Sequence, residues 1–251
     1  MNKEYFVKQL YTDQKEIVKQ PFQWKKIGEF FSLAWVNLKF GIYSSFEYIK
    51  TVFRYYRHIP FMLSDLSLLS YYVLRSPYRI SKHFLTKRGE EEVYTYGETP
   101  LTTLDYIVKT CDLKKADTIY ELGCGRGRTC FWLAQVLGCN TVGIEYLPEF
   151  VQHANAVKKR FHVENLEFLR KDLFDVDLSQ ASHIYLYLIT MKDSDIERLA
   201  EKCAELKPGT AIITVSFPLC RYSKQPVFEI MKCFPAQFPW GEAQVFLQYR
   251  K

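Results

Sequence analysis

Two carboxylates and three glycines mark the place where this chain could do chemistry. Glu121 stands near the end of a β-branched and aromatic run, Thr118-Ile-Tyr-Glu-Leu122. Gly123, Gly125 and Gly127 follow at alternate positions, with Cys124 between the first two. Cys130-Phe-Trp-Leu-Ala-Gln-Val-Leu137 then reads as a helix, stopped by Gly138. A second acid, Glu145, ends the next apolar run, Thr141-Val-Gly-Ile-Glu145. The pattern is strand, tight loop, helix, strand. Without Cβ atoms the loop can turn sharply, and a ligand can approach its main chain. The helix start beyond it presents unpaired N–H groups and a partial positive charge.

The spacing narrows the ligand. A carboxylate at the tip of the second strand accepts two hydrogen bonds at once, which suits the paired hydroxyls of a ribose. The nicotinamide fingerprint has two residues between its second and third glycines, and here there is one. A carboxylate at 121 disfavours a pyrophosphate placed beside it. It favours a cofactor with positive charge at that point, such as the ammonium and sulfonium of S-adenosylmethionine. The alternative is a Rossmann-like loop that holds another nucleotide or nothing. Cys124 is read as a small side chain that fits the loop rather than as a nucleophile.

These residues need a sheet to hold them. Strand patterns recur near 117–122, 141–146, 166–171, 181–188 and 210–217, and helix patterns near 127–137, 148–161 and 193–206. Such alternation implies a parallel sheet with right-handed crossovers. Two last runs, 226–234 and 243–250, lie close together around Pro235 to Gly241 and should pair antiparallel. The expected fold is α/β: a Rossmann-like, seven-stranded, mostly parallel sheet with a terminal antiparallel hairpin, preceded by a helical N-terminal extension. Ligands bind such sheets at the carboxyl ends of the strands. That rule selects Glu145, Asp172 with Leu173, and Tyr187. Asp172 could accept from an adenine amino group, with Leu173 against the ring, or could serve only as a turn residue or helix cap. Tyr187 stands where a group acted on by the cofactor would sit, or is an ordinary half-buried tyrosine. Upstream, Tyr96-Gly-Glu98-Thr99 forms a loop with exposed donors and acceptors. Thr99 is expected to cap the next helix, with Pro100 at its first position.

Composition sets the surroundings. The net charge of +6 is uneven: residues 1–90 hold 15 Lys and Arg against 7 Asp and Glu, and 20 of the 41 aromatic residues. Between 29 and 57, Phe31, Trp35, Leu38, Ile42, Phe46, Ile49, Phe53 and Tyr56 recur at helix spacing, with Lys39, Glu47, Lys50, Arg54 and Arg57 between them. One reading packs this helix across the next domain. The other lays it, with the apolar run 59–74, on an anionic membrane surface, aromatics at the headgroups and cations toward lipid. Nucleic acid is not the expected partner. The charged, proline-bearing stretch 75–93 places a boundary between a basic, aromatic-rich region, 1–93, and a catalytic domain, 94–251. Seven scattered cysteines without a CxxC pair read as buried thiols in a reducing compartment. The start lacks the apolar region of a secretory signal. The expected place is the cytoplasm, with contact to a membrane from one side. No metal is expected.

Glu121-Leu-Gly-Cys-Gly-Arg-Gly127, Gly143-Ile-Glu145, Asp172-Leu173 and the terminal hairpin resemble a class I, seven-β-strand S-adenosylmethionine-dependent methyltransferase, over about 94–251. Tyr96-Gly-Glu-Thr99 is similar to the cofactor loop of the non-SET histone lysine methyltransferases. Asp172-Leu-Phe-Asp-Val-Asp-Leu-Ser179, Ile184-Tyr-Leu-Tyr-Leu188 and Leu206-Lys-Pro-Gly-Thr210 resemble the methyltransferases of ATP-synthase c-subunit and adenine-nucleotide-translocase lysines. Thr190 stands where that group usually has proline.

The resemblance implies methyl transfer to a lysine amine. It implies a cofactor held by Tyr96, Glu98 and Thr99, by Glu121, Gly123, Cys124, Gly125 and Gly127, by Glu145 at the ribose, and by Asp172 and Leu173 at the adenine. Tyr187 would position the acceptor, with Tyr94 or Tyr96 next in order. A small-molecule acceptor and a non-enzymatic cofactor-binding module are the alternatives.

Overall fold

The computed structural model describes residues 41–90 and 96–251. The chain divides into two compact units, Met1–Phe46 and Glu47–Lys251. Residues 41–46 are helical. The remainder of the stretch 29–57 that precedes them, and Tyr94, lie outside the described residues.

The larger unit opens with helix α1 (47–55), α2 (Ile59–Ser70) and α3 (Pro77–Lys87). Helix α4 (Leu101–Thr110) leads into the alternating part: β1 (Thr118–Leu122), α5 (Arg128–Trp132, continued by a π turn over Leu133–Leu137), β2 (Asn140–Glu145), α6 (Pro148–Arg160) and β3 (Leu166–Arg170). Strand β4 (His183–Tyr187), α7 (Asp193–Ala204), β5 (Ala211–Val215), β6 (Phe228–Phe238) and β7 (Gly241–Arg250) complete it. The seven strands form one sheet in the order β3-β2-β1-β4-β5-β7-β6. The first five are parallel, and β7 runs antiparallel to both of its neighbours. The strand order reverses at β1 and β4, so a crevice opens at their carboxyl ends, where the glycine loop lies.

Alternation along the strands divides the core. Ile119 of β1 and Tyr185 of β4 face a cluster that includes Phe61, Leu68, Leu104, Phe131 and Phe150. Tyr120, Leu122, Ile184 and Leu186 face a second cluster with Ile196, Leu199 and Cys203 of α7. Helix ends follow local chemistry. Helix α6 starts on Pro148 and Glu149 and ends on Lys158, Lys159 and Arg160, charges that complement its dipole.

Three details differ from the sequence reading. Thr99 does not cap α4. The helix starts at Leu101 with Pro100 at the cap position, and the Thr99 hydroxyl is taken by Tyr185. Helix α7 begins at Asp193, the first residue of its expected range, but ends at Ala204, two residues before the expected 206. Strand β6 continues through Pro235 to Phe238, which shortens the hairpin turn. Among the described residues it pairs only with β7, and an edge strand tolerates a proline.

Helix α1 turns an unexpected face inward. Thr51 and Tyr55 are buried, whereas Ile49 and Phe53 of the apolar stripe are exposed, Phe53 by 77%. Glu47 accepts from Thr102, and the Tyr55 hydroxyl donates to Asp105 at 3.0 Å, so this face is held by polar contacts to α4. Among the described residues no helix is long and apolar enough to cross a membrane.

Candidate active site

The loop after β1 is pinned by β2. The amides of Gly123 and Cys124 both donate to the Ile144 carbonyl, at 2.8 and 3.0 Å. The Gly125 amide donates to Glu145 Oε2 at 2.8 Å, and Glu145 Oε1 accepts from the amides of Tyr146 and Leu147 at 2.7 and 2.8 Å. Glu145 is therefore a brace for the loop as well as the acid at the strand tip. Burial raises its pKa, and the three amides work against that rise. Each carboxylate oxygen has two lone pairs, so acceptor capacity remains on Oε2.

Two glycines show why this loop admits no side chain. Gly127 has φ +79°, and a Cβ there would lie 2.4 Å from Phe168 Cε1. Gly123 also has φ +79°, but no atom stands within 4 Å of its Cβ direction, and it lines a cavity that opens to solvent. Open space at a left-handed glycine is what a ligand approaching the main chain requires.

Glu121 lines the same cavity and is 7% exposed. Both of its oxygens accept from the Thr129 hydroxyl at 2.7 Å, and Cys130 Sγ lies 3.0 Å from Oε2. Among the described residues no lysine or arginine forms an ion pair with it. Burial pushes its pKa up to about 7, which the Thr129 and Cys130 contacts only partly offset. A buried acid without a cation beside open space fits a ligand that brings the cation.

The loop 96–99 closes the cavity from the other side. Gly97, Glu98 and Thr99 line it. The Tyr96 ring lies across Gly125, with Cε2 3.0 Å from where a Cβ would stand. Burial favours a neutral Glu98, yet Arg126 prevails and holds its pKa below the ordinary carboxylate range. Arg126 Nε and Nη2 donate to the two Glu98 oxygens at 2.6 and 2.7 Å, and the Tyr96 hydroxyl donates to Oε1. The Thr99 and Tyr185 hydroxyls are 2.6 Å apart and buried. Strand register sets Tyr185 beside Glu121, so the first cavity acid and this hydroxyl pair share one face of the sheet.

Tyr187 lines the cavity two residues farther along β4. Its ring packs on Gly97, where a Cβ would stand 2.9 Å from Cε1. Trp240 Nε1 donates to the Tyr187 hydroxyl at 2.6 Å, and the Trp240 ring stacks on Phe238 at 5.3 Å. Cys124 is buried and lines the cavity. Asp172 is exposed, accepts from the Phe174 amide at 3.0 Å in a turn, and with Leu173 lies outside the cavity lining.

The structure also assembles residues that spacing did not single out: Arg126 with Glu98, Arg128 with Asp65, and Trp240 with Tyr187. Two arginines inside a buried glycine motif are a usable signal, because buried cations need partners. Asp65 within the apolar run 59–74 was another such signal. Nothing local pointed to Trp240.

The chain is similar to known proteins. A model of the ANTKMT methyltransferase domain matches residues 121–225. A protein-lysine N-methyltransferase of Saccharolobus islandicus is 26% identical over 137 residues, which is 54% of this chain and 84% of that protein. A histone-lysine N-methyltransferase of Dictyostelium discoideum, H3 lysine-79 specific, is 26% identical over 89 residues, 36% of this chain and 5% of that protein. The crystal structure of an RNA methyltransferase from Salinibacter ruber in complex with S-adenosyl-L-homocysteine is similar with TM-score 0.51 and 28% identity. That likeness covers 61% of this chain and 94% of the other. The strand order, the glycine loop between two buried acids and these likenesses lead to one conclusion: the chain is a class I S-adenosylmethionine-dependent methyltransferase.

Proposed function

We propose that the chain methylates the side-chain amine of a protein lysine. The observation that carries this is that Tyr187 lines the same cavity as Glu121 and Gly123, in a chain similar to a protein-lysine methyltransferase over 84% of that protein's length. When bound, S-adenosylmethionine supplies a methyl group on a sulfonium, a good leaving group that needs no protonation. Glu121 and Thr99 would hold the methionine end, Gly123 and Gly125 admit it, and Glu145 take the ribose, with Asp172 and Leu173 toward the adenine. What the chain must add is alignment and exclusion of water. An ammonium has no lone pair, and at a reference pKa of about 10.4 the lysine must first lose its proton. Tyr187, whose hydroxyl accepts from Trp240, would orient the neutral amine. Incubating a lysate with the enzyme and tritiated S-adenosylmethionine tests this. Protease-sensitive label that acid hydrolysis releases as methyllysine is expected. Label in a small molecule alone would overturn the reading.

A second acceptor, RNA, is favoured by the 28% identity to the Salinibacter ruber enzyme; ribonuclease-sensitive label would establish it. We further propose contact with an anionic membrane through α1, whose exposed Ile49 and Phe53 sit among Lys50, Arg54 and Arg57. Failure to co-sediment with phosphatidylserine vesicles at low salt would reject that contact.

A further inference from the structure

Arg128 is a cation at the cavity that is held from outside the glycine motif. It opens α5 and lines the same cavity as Glu121 and Gly123, and it is the one lysine or arginine among the described lining residues. Its Nε and Nη2 donate to Asp65 Oδ1 and Oδ2 at 2.7 and 2.8 Å. Asp65 is fully buried on α2, 63 residues earlier, and also accepts from the Tyr56 hydroxyl at 3.0 Å. This forked pair fixes the plane of the guanidinium. It uses two of the five N–H donors, and those on Nη1 are not engaged by Asp65.

A buried ion pair is a poor source of stability, because desolvation offsets most of its attraction. Its place beside the cavity suggests another use. The methionine end of the cofactor carries an ammonium and a carboxylate on one carbon. The cavity offers an unpaired acid, Glu121, and an oriented cation, Arg128, on the two sides of one tight turn. Arg126, the other arginine of the motif, is already committed to Glu98 and is not among the lining residues.

We propose that Arg128 binds the carboxylate of the cofactor's amino-acid end, and that Asp65 is the positioning residue that aims it. Helix α2 is then part of the cofactor site and not an appendage. This rests on the cavity being the seat of S-adenosylmethionine.

The test is calorimetry on the full chain with two probes, S-adenosylmethionine and its decarboxylated form, which keeps the ammonium and sulfonium. The wild type should bind the first roughly 10- to 100-fold more tightly, the range for removing one partner of a charged hydrogen bond. Asp65→Asn and Arg128→Lys should narrow that ratio mainly by weakening the carboxylated probe. Equal binding of the two probes by the wild type would overturn the proposal without any variant. So would a variant that loses both probes equally, the mark of a purely structural pair. If neither probe bound the wild type, the seat itself would be misassigned; if the carboxylated probe bound without preference, only the role of Arg128 would fall.

Discussion

Glu121→Gln should make the cofactor-free protein more stable while weakening its hold on cofactor. Glu121 is buried, and its pKa rises from an ordinary 4.5 to about 7. The folded state therefore keeps a proton that the unfolded state releases between those values. Stability is greatest below about pH 4.5 and is lost as pH rises toward about 7. At 1.36 kcal/mol per unit the full penalty is about 3 kcal/mol by pH 8, and about 1 kcal/mol at pH 5. Glutamine removes the ionisation and keeps an oxygen for the Thr129 hydroxyl. The expected gain from Glu121→Gln is thus about 3 kcal/mol at pH 8, shrinking to about 1 kcal/mol at pH 5. Urea denaturation of both proteins at the two pH values measures it. The same argument predicts that cofactor binding near pH 6 expels a proton from Glu121, because an ammonium beside the carboxylate favours its charged form. Calorimetry in two buffers of different ionisation enthalpy would count that proton. A pH-independent stability difference, together with no proton release by the wild type, would refute this account of Glu121.

Gly127→Ala combines a left-handed backbone with a Cβ 2.4 Å from Phe168. It should cost about 3 kcal/mol or more, and an unchanged urea midpoint would contradict that. A chain beginning at residue 47 retains the whole larger unit and should still bind cofactor. One beginning at 76 loses the buried Tyr55, Phe61, Leu68 and Tyr72 as well as Asp65, and should fail to give a cooperative melting transition. Trp240→Phe keeps the stack on Phe238 but removes the donor to Tyr187. It should lower kcat by up to about tenfold, as loss of one neutral hydrogen bond allows, with cofactor affinity unchanged; equal loss of both would place Trp240 at the cofactor instead.

Much of this molecule was decided locally and is legible without coordinates. The parallel order follows from strand and helix periods that alternate from residue 117 onward. The loop follows from three glycines, each with positive φ in the structure. The two acids follow from standing at or near strand ends, where side chains reach the crevice. What no local pattern encodes is the partner of a buried charge. Arg126 finds Glu98 28 residues away, and Arg128 finds Asp65 63 residues away. The inward face of α1 was likewise hidden. Its apolar stripe has the helix period, yet the buried face is the one carrying Thr51 and Tyr55, because Tyr55 meets Asp105 and Trp132 there. Thr99 looked like a cap and became the partner of a tyrosine on β4. Periodicity reports what a segment can bury. Which charge is neutralised, and by which distant group, is settled only when the chain closes on itself and takes those groups out of water.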